Sequence, residues 1–443
     1  MRAAAAVGLF GFGFFVVQVS MVDHGTRNAD LVMPIMSTDT VDDVTTPSPP
    51  TSSPTVSPTP SPSATASPTV SPTASPTATR SPTATTPSAR HGSTNEIIPL
   101  IRDGAAVPRN GPGGPPGVVA SVETELFPGE QGDVADDSAV WRNPAHPERS
   151  FVLADDKSDS GGVAVYDLKG RMVQYDQVGK IGNIDLRSGV RVGSRTLTLV
   201  GANDRTHGTL RFWSLDPGSG ALTSLEARPI TTVAPNYGFC LGRSRDGAHT
   251  YAFVSGENSF VFEQYELRMT SDKVDAVKVR TLDVGSLSEA CVVDDARGAL
   301  YVAEEDVAIW RYDLDPSGGA KRTAVDTVSA GRLTADIEGL SLARGPGGAG
   351  VLVTSSQGDS TFAVYDLDGS HTYRGTFVVK DGPRTDGTSE TDGLAIGSGS
   401  FGPAFPNGLL VVHDASNALA GGGSAAGSNL KFVRFDQVFA LSP

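Results

Sequence analysis

The sequence predicts an all-β fold, a six-bladed β-propeller, carried behind a hydrophobic N-terminal segment and a disordered Ser/Thr/Pro-rich linker. Short apolar runs are broken by Gly, Asp, Asn or Pro about every ten positions, and long helical periodicity is nearly absent. Aromatic segments also recur in one phase: "VAVYDL", "LRFWSL", "FEQYEL", "IWRYDL", "FAVYDL" and "KFVRFDQ" align Tyr166, Trp213, Tyr265, Tyr312, Tyr365 and Phe435. Their spacings of 47, 52, 47, 53 and 70 residues fit four-stranded blades, with an insertion before the last.

Taken in order, the chain opens with an apolar run, "AAAAVGLFGFGFFVVQV" at residues 3–19, following Arg2. It has signal-peptide length, but the "SMVDHG" after it lacks a small-x-small cleavage site. The run is just short of the roughly 20 residues that span a bilayer. A secreted or extracellular protein is expected, with an uncleaved cell-surface anchor as the alternative and the only membrane contact. Residues 45–89 repeat Ser-Pro-Thr units, too polar and too rich in Pro to collapse, as in extended and O-glycosylated stalks. The expected organisation is a signal peptide or anchor over 1–20, a linker over 21–115 and the propeller over 116–443.

A net charge of −15 in 443 residues gives no electrostatic case for nucleic acid and points to cations and small molecules. Nothing demands an oligomer, so a monomer is expected. The two cysteines, Cys240 and Cys291, form an even set in a chain read as exported, and a disulfide between them is expected.

Within each blade the aromatic strand follows another apolar strand, such as "SFVLADD", "TLTLVGAND" or "ALYVAEED". Upstream lie the candidate innermost strands "ADDSAVW" (135–141), "GNIDLRS" (182–188), "NYGFCLG" (236–242), "LSEACVV" (287–293), "ADIEGLSL" (335–342) and "ETDGLAI" (390–396). Each begins with polar residues, mostly acids. Asp137, Asp185, Tyr237, Glu289, Glu338 and Asp392 are therefore expected around one axis. Carboxylates brought so close repel by on the order of several kcal/mol at low effective dielectric unless a cation sits among them. Calcium fits that need, because the donors are carboxylate and carbonyl oxygens and the His/Cys set of zinc is missing. The last blade lacks an outer strand, and "GVVASVETEL" (117–126) is expected to close the ring there, which removes an exposed edge.

The segments "ADDSAVW", "NYGFCL", "YVAEEDVAIW", "LTADIEGLSL", "VTSSQGDSTFAVYDL" and "DGPRTDGTSETDGL", in that order from about residue 120 onward, resemble the β-propeller (alkaline) phytases. The resemblance implies several bound calcium ions and release of phosphate from myo-inositol hexakisphosphate presented as its calcium salt. It implies calcium ligands at Asp136 or Asp137, Tyr237, Glu289, Glu304 or Glu305, Asp336 and Glu338. Glu289, Glu305, Tyr237 and Asp137 form the candidate catalytic set. The paired "TDG" units add Asp386 and Asp392, and Asp414 in "VVHDASN" matches a structural calcium position.

Phosphomonoester hydrolysis needs an in-line nucleophile and neutralisation of the phosphoryl oxygens, and bound calcium supplies both. Lys157, Lys180 and Arg205, near strand ends on the same side, would add positive charge for substrate phosphates, Arg205 as a bidentate fork and Lys157 as a point charge. The chain departs from the family twice. "SGENS" places Glu257 and Asn258 where a Gly-Lys often stands, and Ser416 replaces an acid common two positions beyond Asp414. The "RHGS" at 90–93 resembles a histidine acid phosphatase signature but lacks the Arg and Pro that should follow. Cys291 and Arg297 have the Cys-x5-Arg spacing of cysteine-dependent phosphatases, yet "VVDDA" between them has no glycine nest and two acids that repel phosphate. The rival readings are a secreted, calcium-stiffened binding module and a lactonase-like metal-dependent propeller. The number of axial acids favours the phosphohydrolase, since one structural ion needs only three or four oxygen-bearing side chains.

Overall fold

The computed structural model describes residues 98, 101, 114–129, 132–418, 423 and 427–440. The predicted N-terminal segment and nearly all of the linker lie outside the described residues. Six antiparallel sheets follow one another along the chain, as the repeat predicted. Blade 1 runs from its inner strand outward as Ala135–Trp141, Phe151–Asp156, Gly162–Asp167 and Met172–Gln177. The inner strands of blades 2 to 6 are Ile181–Val192, Asn236–Arg243, Cys291–Asp294, Leu340–Arg344 and Leu394–Gly397. Each packs against the inner strands of its two neighbours, and Leu394–Gly397 returns to Ala135–Trp141, so the sheets close into a ring.

Strand alternation explains the core. Residues i and i+2 share a face of a strand, and every blade has a neighbour on both faces, so the middle strands are buried almost throughout, whereas outer strands such as Met172–Gln177 are not. In blade 1, Leu153, Val163 and Val165 pack toward Val200 and Trp213 of blade 2. Val152, Ala154, Ala164 and Tyr166 face Val411 and Phe432 of blade 6 on the other side. Six such apolar clusters fill the six interfaces between blades. The repeated aromatic has a structural cause: Tyr166, Trp213, Tyr265, Tyr312 and Tyr365 pair with Val152, Val200, Ala252, Leu300 and Leu352, the same register in five blades. Phe435 breaks the series. Its strand ends at Arg434, and the equivalent partner of Leu410 is Val433.

The segment at 117–126 divides between two blades rather than serving only the last. Val122–Glu123 pairs antiparallel with Asn429–Arg434 and supplies the missing outer strand of blade 6, as expected. Gly117–Val118 instead runs parallel to Tyr373–Val379 and becomes a fifth strand of blade 5. The segment thus covers the outer edges of two neighbouring blades, 5 and 6. Cys240 and Cys291 are joined, linking the inner strands of blades 3 and 4 across 51 residues. A closed loop of that length contributes about 4 kcal/mol by chain entropy.

Candidate metal centre

The inner strands begin, and the second strands end, at one face of the ring; Ala135 pairs with Asp156, Ile181 with Asp204 and Asn236 with Gly256. Blades 1 to 3 each carry a bulge immediately afterward, between Ala135 and Ser138, Ile181 and Ile184, and Asn236 and Phe239. A bulge re-aims the side chains beside it. It also fixes which residues correspond: the N–H groups of Asp137, Asn183 and Gly238 donate to Asp155 Oδ1 (3.0 Å), Asn203 Oδ1 (2.7 Å) and Ser255 Oγ (2.7 Å). The residues just before them are Asp136, Gly182 and Tyr237. In blades 4 to 6 the acids Glu289, Glu338 and Asp392 each stand two residues ahead of the inner strand, in the entering loop.

The axial set is therefore Asp136, Tyr237, Glu289, Glu338 and Asp392, with Gly182 giving blade 2 no side chain. Asp185 is a correction to the sequence reading. It lies three residues further in, bonds Arg187 Nη1 at 2.9 Å and accepts the Leu241 N–H at 2.9 Å, bracing blade 2 against blade 3. Asp137 points into a small axial cavity whose wall also includes Asp136, Asn183, Glu289 and Glu338.

Two groups of ligand atoms form around members of the axial set. Glu305, Asp336 and Glu338 offer oxygens all within 4.8 Å of one another, and so do the ligand atoms of Asp133, Asp392 and His413. Gln357 bridges the groups, its amide donating to Glu338 Oε2 at 2.8 Å and to Asp392 Oδ1. Glu304 is turned away from both. Ser286 Oγ and Trp310 Nε1 donate to it, each at 2.6 Å, so of the two neighbouring glutamates only Glu305 joins the cluster.

Burial dominates the electrostatics. It pushes Glu289 up to about 8, with the charges of Asp392 and Glu305 adding to the rise. Glu305 is also pushed up to about 8, by burial and then by Asp336. Asp136, Asp137 and Glu338 are likewise raised by burial and by neighbouring acids. Asp392 and Asp133 are exceptions: burial opposes their charge, but His413 and Lys157 hold both below the usual range, Asp392 at about 2. Glu289 Oε1, Glu305 Oε1 and Asp155 Oδ2 are buried without a hydrogen-bond partner. Orphaned carboxylate oxygens, crowded and desolvated, are a donor set that fits hard divalent cations such as calcium.

The predicted bases flank this centre and are engaged by acids. Lys157 Nζ lies 2.6 Å from Asp392 Oδ2, 3.0 Å from Asp133 Oδ2 and 3.5 Å from Asp136 Oδ1. Although burial works against its charge, those three carboxylates hold it protonated. Arg205 Nη2 pairs with Glu257 Oε1 at 3.3 Å, and its guanidinium sits 5.0 Å from the centre of the Tyr237 ring. Lys180 occupies the same corner, its carbonyl accepting the Arg205 N–H at 2.8 Å. Burial, then Glu289 and Glu305, raise the Tyr237 phenol far above its usual range.

Asp386 and Asp414 are not brought to the axis. With Glu123 and Asn417 they enclose the fully buried ammonium of Lys431, which lies 2.9 Å from Glu123 Oε1, 3.1 Å from Asp414 Oδ2, 3.2 Å from Asn417 Oδ1 and against Asp386. At this second place the lysine already provides a cation.

The sequence reading missed Asp133, His413 and Gln357. A signal for His413 was present: it occupies the penultimate position of its strand, as do Asp155, Asn203, Ser255 and Ser355 in theirs. A polar side chain recurring at one place in five buried strands marks a shared contact, here with the axial loops. His413 is fully buried; its Nε2 meets Asp133 Oδ1 at 3.0 Å and the Asp392 N–H points at its Nδ1 at 3.1 Å.

A propeller whose axial mouth gathers buried, unpartnered carboxylates beside lysine and arginine is a scaffold for cations and for the anions they attract. Residues 116–441 match the model of the Phytase family, and the chain belongs to that family. It is 37% identical over 326 residues to the 3-phytase of Bacillus subtilis (strain 168), covering 72% of this chain and 84% of the relative. Among solved structures, a calcium-binding regucalcin from Agrobacterium tumefaciens aligns with 72% of this chain and 96% of its own at 13% identity, TM-score 0.44. The α-L-arabinofuranosidase Arb93A of Fusarium graminearum aligns with 72% and 99% at 10% identity, TM-score 0.47.

Proposed function

We propose that the protein is a calcium-dependent phytase of the 3-phytase type, releasing orthophosphate from myo-inositol hexakisphosphate by attack of water. The observation that carries this reading is the desolvated axial acid cluster, with Glu289 and Glu305 oxygens left without partners, set beside Lys157 and Arg205. Glu289, Glu305, Asp336 and Glu338 would hold calcium at one side of the mouth, while Asp133, Asp136 and Asp392 at the other share the Lys157 ammonium. When bound, such ions neutralise phosphoryl oxygens and lower the pKa of a coordinated water.

The chain's own groups do the rest. Arg205 presents a planar fork to a substrate phosphate, fixed in orientation by the Tyr237 ring beneath it. Lys157 exchanges part of its carboxylate contact for a phosphate oxygen. Burial and the charges of Glu289 and Glu305 favour the protonated Tyr237 phenol, which can then donate a hydrogen bond at the mouth. Burial and neighbouring acids raise Glu289 and Glu305, and a bound cation would hold both as carboxylate donors. Secretion and a monomeric state complete the proposal, in keeping with the apolar leader at residues 3–19.

Paired variants test it. Glu289→Gln and Asp336→Asn should each lower turnover of calcium phytate by at least about a hundredfold, the scale of losing one transition-state charge contact, with the fold preserved by circular dichroism. Unchanged turnover in both purified variants would remove the site assignment.

A further inference from the structure

The ion pair between Arg205 and Glu257 has a consequence for ligand choice, given the phosphate-handling site proposed above. Glu257 follows the second strand of blade 3, Thr250–Gly256, and its N–H donates to Pro235 O at 3.0 Å, so its backbone is anchored. Its side chain is 38% exposed and that of Arg205 is 14% exposed, which leaves the acid freer to move than the base. The guanidinium is held from behind by the Tyr237 ring at 5.0 Å, and the Arg205 N–H is tied to Lys180 O at 2.8 Å. Tyr237 lies beside Glu289 of the axial cluster. Arg205 is thus a fixed fork at the edge of the acid-lined mouth, and the group facing it is a carboxylate.

We propose that Glu257 is a specificity-determining residue: its carboxylate occupies the Arg205 fork in the free protein, in the place a phosphate takes, and selects polyphosphorylated ligands over orthophosphate. A carboxylate and a phosphate offer the fork the same pair of oxygens. Binding there is therefore an exchange, and the displaced Glu257 remains nearby as a like charge that opposes the incoming anion. A ligand anchored by several phosphates on one small ring gains enough contacts elsewhere to offset that cost. Orthophosphate, with a single set of oxygens, does not. The same acid that weakens the Arg205 contact thereby keeps the released product from accumulating on the enzyme.

The test is Glu257→Gln, which removes the charge at a partly exposed position while keeping the side-chain shape. The inhibition constant of orthophosphate against phytate turnover, and its dissociation constant by calorimetry, should both tighten about two- to fivefold, the range of a partly exposed ion pair. KM for phytate should change less. In an Arg205→Ala background the same substitution should have no such effect, because the fork is gone. Orthophosphate affinity that is unchanged or weakened in Glu257→Gln would overturn the proposal, the latter by showing that Glu257 orients the arginine for phosphate. Tightening that persists undiminished without Arg205 would also overturn it, leaving only a general charge effect. If the parent protein released no phosphate from phytate, the phytase reading would fall, while calorimetry would still decide what Glu257 does.

Discussion

Lys157 Nζ and Asp392 Oδ2 are 2.6 Å apart, joining the hairpin that follows the second strand of blade 1 to the entry loop of blade 6. The contact ties the first and last blades together at the mouth of the ring. It also joins the base expected to meet phosphate to an acid expected to hold metal, so cation and substrate sites share one network.

Removing that ammonium should therefore have two effects. Lys157→Met leaves Asp133, Asp136 and Asp392 without their shared base, and breaking one side of a buried pair costs about 3–5 kcal/mol. Thermal denaturation in chelator should show the variant melting well below the parent. Added calcium should recover much of that loss, whereas KM for phytate should stay raised. Equal melting temperatures in chelator would mean that the carboxylates are relieved in another way.

The raised acids set a pH dependence. Glu289 and Glu305 have pKa values of about 8 in the folded chain, against an ordinary 4.5. Between those values the native state binds more protons than the unfolded state, so stability falls as pH rises through that window. A tenfold difference in proton affinity between the two states is worth about 1.4 kcal/mol for each group. Melting temperatures of chelated protein should fall from pH 5 to pH 8, and less steeply in Glu289→Gln. With saturating calcium the slope should nearly disappear, since a cation bound only by the native state stabilises it by mass action. A flat chelated profile would contradict this account of the cluster.

Lys431 makes a separate prediction about ring closure. Its ammonium lies between Glu123 of the closing strand and Asp386 and Asp414 of blade 6. Lys431→Met should destabilise by about 3–5 kcal/mol, the cost of leaving buried acids unpaired. Limited proteolysis should then cut near residues 114–129 sooner than in the parent. Adding Asp386→Asn should restore part of the stability by removing one of the excess charges. A Lys431→Met protein as stable and as resistant as the parent would exclude this brace.

The propeller was legible because its repeat is physical. Tyr166, Trp213, Tyr265, Tyr312 and Tyr365 hold one register in five blades, and the second strands of blades 1, 3, 4, 5 and 6 are buried on both sides because each blade has two neighbours. The misreadings arose where geometry breaks the count. The bulge shared by blades 1 to 3 aligns Asp136 with Gly182 and not with Asp185, and Phe435 falls one residue past its strand, leaving Val433 in the aromatic's place. Glu304 and Glu305 are adjacent in sequence but point to opposite sides, as successive residues at a strand end do. Asp133, Gln357 and His413 belong to no acid pattern in the sequence, and only the ring brings them to Asp392. Lys431 sits in a strand read for its aromatic register, and the cage around it depends on Glu123, over three hundred residues away.

The most direct measurement is phosphate release from calcium phytate by the purified protein at neutral to mildly alkaline pH, with and without chelator. The account predicts activity that vanishes with chelator and returns when calcium is restored, the axial acids acting as metal ligands. Activity indifferent to chelator, or no activity from folded protein loaded with calcium, would contradict it.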